Sequence, residues 1–204
     1  MMQKIVKIIE NENFMIIKKY ISKIEKFKPN DESKKRLHNI IDGINSLTQK
    51  RKLNLVFICN HNSRRSQFAQ FWGEILANHY NKQINIYSAG MIKTKVYFQV
   101  IESIKRIGFN VSKKKSSYQI NYNNRKINLS SKLLKEIENI NFISIMTCSD
   151  ADASCPITLR VSLNLKLYFQ DPKIYDGTVN EEKKYDAICL KIASELNYIF
   201  KNLI

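Results

Sequence analysis

LNLVFICNHNSRRSQFAQFW, residues 53–72, changes character twice. Leu53 to Cys59 is a short apolar run of β-forming residues, the pattern of a strand buried on both faces in a parallel sheet. Asn60 to Arg64 is polar, and from Ser66 onward Phe68, Phe71, Trp72, Ile75 and Leu76 recur at helical spacing. A cysteine therefore closes a strand, and an arginine follows after five intervening residues where a helix begins. Such a loop can curl its backbone N–H groups around a tetrahedral oxyanion while Arg65 forks two of the oxygens and the helix adds its positive end. Asn60, His61, Asn62, Ser63, Arg64 and Arg65 are the candidate oxyanion ligands. Cys59 is the candidate nucleophile, its thiolate favoured by the same field. Ser66 can donate to the Cys59 sulfur or cap the helix, and Asn62 suits a left-handed backbone turn.

Before this unit, residues 1–50 read as a separate helical extension. Ile5, Ile8, Ile9, Phe14, Ile17, Tyr20, Ile21 and Ile24 recur at three- and four-residue steps. Pro29 interrupts them, Asn30 or Asp31 can cap a second helix, and Leu37, Ile40, Ile41, Ile44 and Leu47 form its apolar stripe. The pattern predicts an α-hairpin packed on the domain or on a second subunit, joined to the first strand by the basic stretch Gln49 to Lys52.

After it, residues 53–204 alternate strands with helices. Strands are expected at 84–88, 141–147 and 161–169, and helices at 66–80, 97–107, 129–140 and 180–204, with Gly108 stopping the second of these. Val111 to Asn128 is polar and basic and reads as an irregular loop; Cys148 to Cys155 also reads as a loop. The alternation predicts an α/β fold: a doubly wound, mostly parallel four-stranded sheet with helices on both faces, plus the N-terminal helical extension. Ligands of such sheets bind at the carboxyl ends of the strands, where Cys59 and Cys148 both fall.

A chain of 204 residues has room for this domain and a substantial core. The net charge of +16 favours anionic partners. The lysines are spread along the chain and form no nucleic-acid-binding module, so a nucleic-acid partner is not expected. No apolar run reaches the roughly 18 residues that span a bilayer, and no signal peptide is evident, so no membrane association and a cytoplasmic location are expected. Structural disulfides are not expected there. His61 and His79 have no partner at metal-ligand spacing and read as structural, so no metal site is expected. Cys189 lies on an apolar helix face and reads as core.

The 53–72 stretch resembles the phosphate-binding loop of the low-molecular-weight protein tyrosine phosphatases and of the thioredoxin-coupled arsenate reductases that share their fold. YSAG at 87–90, DPKIYDGT at 171–178 and YDAICLKIASEL at 185–196 extend the resemblance from about residue 53 to the C-terminus, toward a long bacterial subgroup with an N-terminal helical extension. Taken alone, Asp171-Pro172 is a turn signal; the resemblance implies that Asp171 is a general acid, with Asp176 as the fallback. CSDADASCP at 148–156 resembles the redox loop of the reductases. The implied reaction is a relay in which Cys59 attacks arsenate, Cys148 displaces arsenite from Cys59, and Cys155 moves the disulfide to Cys148–Cys155 for reduction by thioredoxin.

Two departures stand out. Arg64 occupies a position where both branches usually carry a second cysteine. Gln70 stands where the potassium-binding reductases have an acidic residue; Ser88 and Asn62 match that ion site, but the missing charge argues against potassium activation. No bound cofactor is expected. The leading function is a thiol-dependent arsenate reductase acting on a small oxyanion. The alternative is a phosphatase that hydrolyses phosphotyrosine or small phosphate esters through a phosphocysteine. A non-enzymatic anion- or RNA-binding module comes third.

Overall fold

A computed structural model of the chain describes residues 2–48, 52–122, 125–137, 139–154 and 160–204. The linker residues 49–51 and Cys155 lie outside the described residues. Strand β1 (Leu53–Cys59) runs parallel to β2 (Ile84–Gly90) on one side and to β6 (Phe142–Met146) on the other, and β7 (Val161–Lys166) adds in parallel outside β6. The result is a four-stranded parallel sheet in the order β2-β1-β6-β7, as the alternation predicts.

The two-residue period of β1 sorts its side chains onto two faces. Leu53, Leu55 and Phe57 join a large core with α3 (Arg65–His79) and α6 (Glu181–Asn202). Val56 and Ile58 face a smaller cluster with Met146, Cys148 and Ala151. This second face is covered by the short helix α5 (Ser149–Ser154) and a 3-10 turn at Leu134–Glu136.

The extension folds as predicted, as α1 (Met2–Glu25) and α2 (Asp31–Thr48). Asn30 Oδ1 accepts from Ser33 N at 2.9 Å, closing the first turn of α2. Both helices pack on α6: Ile24, Leu37, Ile40, Ile41 and Ile44 are buried in the same core as β1, and Tyr20 stacks on Trp72 at a centroid distance of 5.5 Å. Among the described residues no helix is long and apolar enough to cross a membrane.

Three expectations need correction. Val111 to Asn128 is not a loop: β3 (Val111–Lys114), β4 (Ser117–Tyr122) and β5 (Arg125–Leu129) form an antiparallel three-stranded sheet. Ile120, Ile127 and Leu129 point into the core while lysines and asparagines cover the outer face, so the strands alternate, but over lengths too short to stand out. Residues 129–140 are not a helix. Gly90 N bonds Lys132 O at 2.9 Å and Lys132 N bonds Asn62 Oδ1 at 2.8 Å, so these backbone groups are committed elsewhere and only the 3-10 turn remains. Cys148 to Ser154 is not wholly a loop, because α5 starts directly after Cys148. The helix α4 (Phe98–Arg106) ends as expected at Gly108, whose φ of +103° suits glycine.

Candidate active site

The loop between β1 and α3 is hung from its carbonyls. Asn60 O accepts from Met91 N and Ile92 N at 2.9 Å each. His61 O accepts from Thr94 Oγ1 at 2.9 Å, Asn62 O from Gln67 Nε2 at 2.8 Å, and Ser63 O from Tyr97 N at 3.0 Å. Four successive carbonyls are thus bound by donors outside the turn, which leaves the amides of a tight loop to converge on its inner side. Asn62 takes the left-handed conformation expected of it, with φ of 44°. Gly90 makes the close approach possible: a Cβ there would lie 2.7 Å from Asn62 N.

Cys59 is buried at the foot of the loop, with its sulfur 3.0 Å from Ser66 Oγ. Asn62 Nδ2 donates to the same hydroxyl at 2.8 Å, so the serine proton is free to point at the sulfur. The alternative of Ser66 as helix cap does not hold, because α3 opens at Arg65 with Arg64 in the capping place.

Arg65 is buried. Its Nη1 donates to Phe169 O at 3.1 Å and its Nη2 to Asp171 Oδ2 at 2.7 Å, while Nε, also buried, has no protein partner among the described residues. Asp171 Oδ1 accepts from Lys173 N at 3.0 Å and so opens the 3-10 turn Pro172–Tyr175. The fold therefore brings Cys59, Arg65 and Ser66 together with Asp171, which lies 106 residues beyond Arg65 in the sequence. Asp176, the fallback acid, is turned elsewhere and pairs with Arg64 and Tyr185.

The Arg64 side chain does not join the oxyanion set, contrary to expectation. Its Nε donates to Tyr185 OH at 2.6 Å, its Nη2 pairs with Asp176, and its guanidinium lies 4.1 Å from the centre of the Tyr97 ring. Only its backbone remains part of the anion loop. A carboxylate and two aromatic rings give an arginine better partners than a site already holding Arg65.

Cys148 is brought beside Cys59 by strand register. Ile58 pairs with Met146, and Thr147 N donates to Ile58 O at 2.7 Å, so Cys148 sits on the neighbouring strand's end one residue beyond the position opposite Cys59. Burial pushes the Cys148 thiol up, against the backbone N–H of Ala151, the Arg65 charge and the backbone N–H of Asn60, which pull it down. Cys189 is fully buried and accepts from Trp72 Nε1 at 3.3 Å, and burial pushes it up to about 12, in keeping with a core role.

Behind the loop, Gln70 Oε1 accepts from Ser88 Oγ at 2.6 Å, and its amide donates to Glu74 Oε1 at 2.8 Å and Asn128 O at 3.1 Å. Glu74 and Lys132 are both partly buried there; Lys132 Nζ donates to Ser130 O at 3.2 Å, and each acts electrostatically on the other. The helix expected over 129–140 gives no sign of this pair. Among the described residues no group of three His, Cys, Asp or Glu is placed to hold a metal ion.

A parallel sheet whose central strand ends in a cysteine, with a tight loop and a buried arginine leading into the next helix, defines a phosphatase-like α/β fold with a candidate oxyanion loop. Two comparisons narrow this. Over 107 residues the chain is 33% identical to arsenate reductase 2 of Staphylococcus saprophyticus, covering 52% of this chain and 68% of the relative. It is 36% identical over 106 residues to an arsenate reductase of Staphylococcus aureus strain Newman, covering 52% and 67%. Among solved structures, a YwlE mutant from Bacillus subtilis superposes with a TM-score of 0.55 at 15% identity, covering 73% of this chain and 97% of that one. An arsenate reductase from Archaeoglobus fulgidus gives 0.51 at 17% identity, covering 72% and 98%. No protein-family model matches the chain. The chain belongs to the family of the arsenate reductases, and its fold is shared with solved phosphatases.

Proposed function

We propose that this protein is a thiol-dependent arsenate reductase, acting in the cytoplasm with thioredoxin as its reductant. The observation that carries the reading is the second buried thiol, Cys148, at the end of the strand beside Cys59. In the proposed reaction the Cys59 thiolate, with Ser66 donating to it, attacks arsenic while Arg65 and the loop amides hold the oxygens. Asp171 protonates the oxygen that leaves as water. Cys148 then attacks the Cys59 sulfur; the new S–S bond replaces the S–As bond, and the electron pair of that bond leaves on arsenic as arsenite. Cys155 is proposed to attack Cys148 in turn, freeing Cys59 and presenting a Cys148–Cys155 disulfide to thioredoxin.

The second reading, hydrolysis of a phosphate ester, is favoured by the Cys59, Ser66, Arg65 and Asp171 arrangement, which serves a phosphocysteine equally well. It differs only in that water, and not Cys148, attacks the intermediate. The non-enzymatic module is set aside, since the relatives are enzymes.

The test is arsenate-dependent NADPH oxidation with thioredoxin and thioredoxin reductase, run beside hydrolysis of an aryl phosphate. Cys148→Ser is expected to abolish arsenate turnover and spare ester hydrolysis. Undiminished arsenate turnover in that variant would sink the relay, and full activity of Cys59→Ser in both assays would sink the site.

A further inference from the structure

Arg64 and Arg65 are consecutive, and each holds one end of the same short segment. Arg65 pairs with Asp171 and Arg64 with Asp176, the residues that open and close the 3-10 turn Pro172–Tyr175. A turn of this length has little stability of its own, so its position is set by what grips its ends. The two grips differ in environment. Asp171 is 37% exposed, whereas the side chains of Arg64 and Asp176 are 13% and 23% exposed.

They also differ in what happens when an oxyanion arrives. Arg65 is the oxyanion clamp in the reading above, so the incoming anion competes with Asp171 for its guanidinium, and the segment loses its first tether as proton transfer becomes necessary. The Arg64 grip uses no group that the anion needs. It is built from Tyr185 OH, which accepts from Arg64 Nε at 2.6 Å and donates to Asp176 Oδ1 at 2.6 Å. Tyr97 packs under the guanidinium and stacks on Tyr185 with ring centres 5.5 Å apart, while its own hydroxyl donates to Glu181 Oε1 at 2.6 Å. Each charge in the cluster has a partner, and four elements meet there: the end of the anion loop, the approach to α4, the acid segment and α6.

We infer that Arg64 is a positioning residue for the proton-delivering segment: it keeps Asp171 at the leaving oxygen after Arg65 has turned to the substrate. The inference rests on the reading of Asp171 as general acid. It predicts an effect that depends on how much the leaving group needs a proton, which mere loss of stability does not.

The experiment compares kcat/KM for 2,4-dinitrophenyl, 4-nitrophenyl and phenyl phosphate in the wild type, Arg64→Leu, Arg64→Lys, Asp176→Asn and Asp171→Asn. Misplacing a catalytic group by about 1 Å costs on the order of 100-fold. For Arg64→Leu and Asp176→Asn the loss on phenyl phosphate is therefore expected to be roughly 10- to 100-fold, against about threefold or less on the dinitrophenyl ester, whose oxygen leaves without help. Arg64→Lys, which keeps the charge toward Asp176 but cannot reach Tyr185 with a second fixed N–H, is expected to lie between. Asp176→Asn attacks the grip from the other side and keeps the test sharp if Arg64→Leu folds poorly. Equal losses on all three esters, or none, in both Arg64→Leu and Asp176→Asn overturn the inference while leaving the acid intact. An Asp171→Asn variant without leaving-group dependence rejects the acid reading and this inference with it; if the wild type hydrolyses none of the esters, the same variants are compared in arsenate turnover, where Arg64→Leu and Asp176→Asn that keep the wild-type kcat while Asp171→Asn loses it overturn the inference.

Discussion

Ser66 Oγ stands 3.0 Å from the Cys59 sulfur and already accepts a hydrogen bond from Asn62, so its own proton has the sulfur as its natural acceptor. A hydrogen bond to a charged partner is worth about 1.5–3 kcal/mol, or roughly ten- to 100-fold in rate. Ser66→Ala is therefore expected to lower kcat for an aryl phosphate by that factor and to change the inhibition constant of inorganic phosphate by less than about threefold, since the anion contacts remain. Steady-state kinetics with phosphate as competitor checks both halves.

Cys148 is held at the foot of a six-residue helix that cannot stand alone. What fixes α5 is Asp152, which accepts from Tyr168 OH at 2.5 Å, Lys166 Nζ at 2.8 Å and Asn164 Nδ2 at 3.1 Å, all on β7 or just beyond it. Asp152→Ala is expected to speed alkylation of Cys148 by iodoacetamide roughly tenfold, the equivalent of one charge-assisted hydrogen bond. Measured by mass spectrometry in a Cys59→Ser background, the wild-type rate should still be climbing above the ordinary thiol range, because burial raises this thiol. A wild-type Cys148 that reacts as fast as free cysteine would contradict the latch.

Glu74 supplies a pH dependence of stability. Burial pushes it up to about 7 from an ordinary 4.5, against the pull of the Gln70 amide and the Lys132 charge. Between those values the folded chain keeps a proton that the unfolded chain has lost, so stability falls as pH rises through the window and stays low above it. Glu74→Gln keeps an acceptor for Gln70 and removes the titration. Relative to wild type, the variant should gain about 3 kcal/mol between pH 4.5 and pH 8 in urea unfolding.

The helical extension shares its core with the sheet, and this too can be measured. Leu37 is fully buried. Leu37→Ala is expected to cost roughly 2–5 kcal/mol and to shift one common urea transition followed by both circular dichroism and Trp72 fluorescence. Two separate transitions would mean that the extension unfolds by itself.

The strand–loop–helix unit was legible because its signals are local: six apolar residues in a run of seven, a polar turn and a helical apolar period lie side by side. So were Asn62's backbone turn and the helices of the extension. The antiparallel sheet was not, because the inward residues Ile120, Ile127 and Leu129 are separated by outward lysines and asparagines, and Lys115 turns the first hairpin at φ of 51°, a conformation lysine seldom signals. Arg64 was misread for a different reason. Its neighbours in sequence are the anion loop, but its partners Asp176 and Tyr185 lie 112 and 121 residues away, and no periodicity reports a contact of that range.

That distance also has a meaning for the chain during synthesis. The thiol and both arginines emerge 106 residues or more before the carboxylates that the arginines hold and before Tyr185. A growing chain that stops short of residue 171 displays two neighbouring arginines and a cysteine without any of these partners. The reactive centre therefore cannot close before α6 is made, and α6 is also the helix that closes the core.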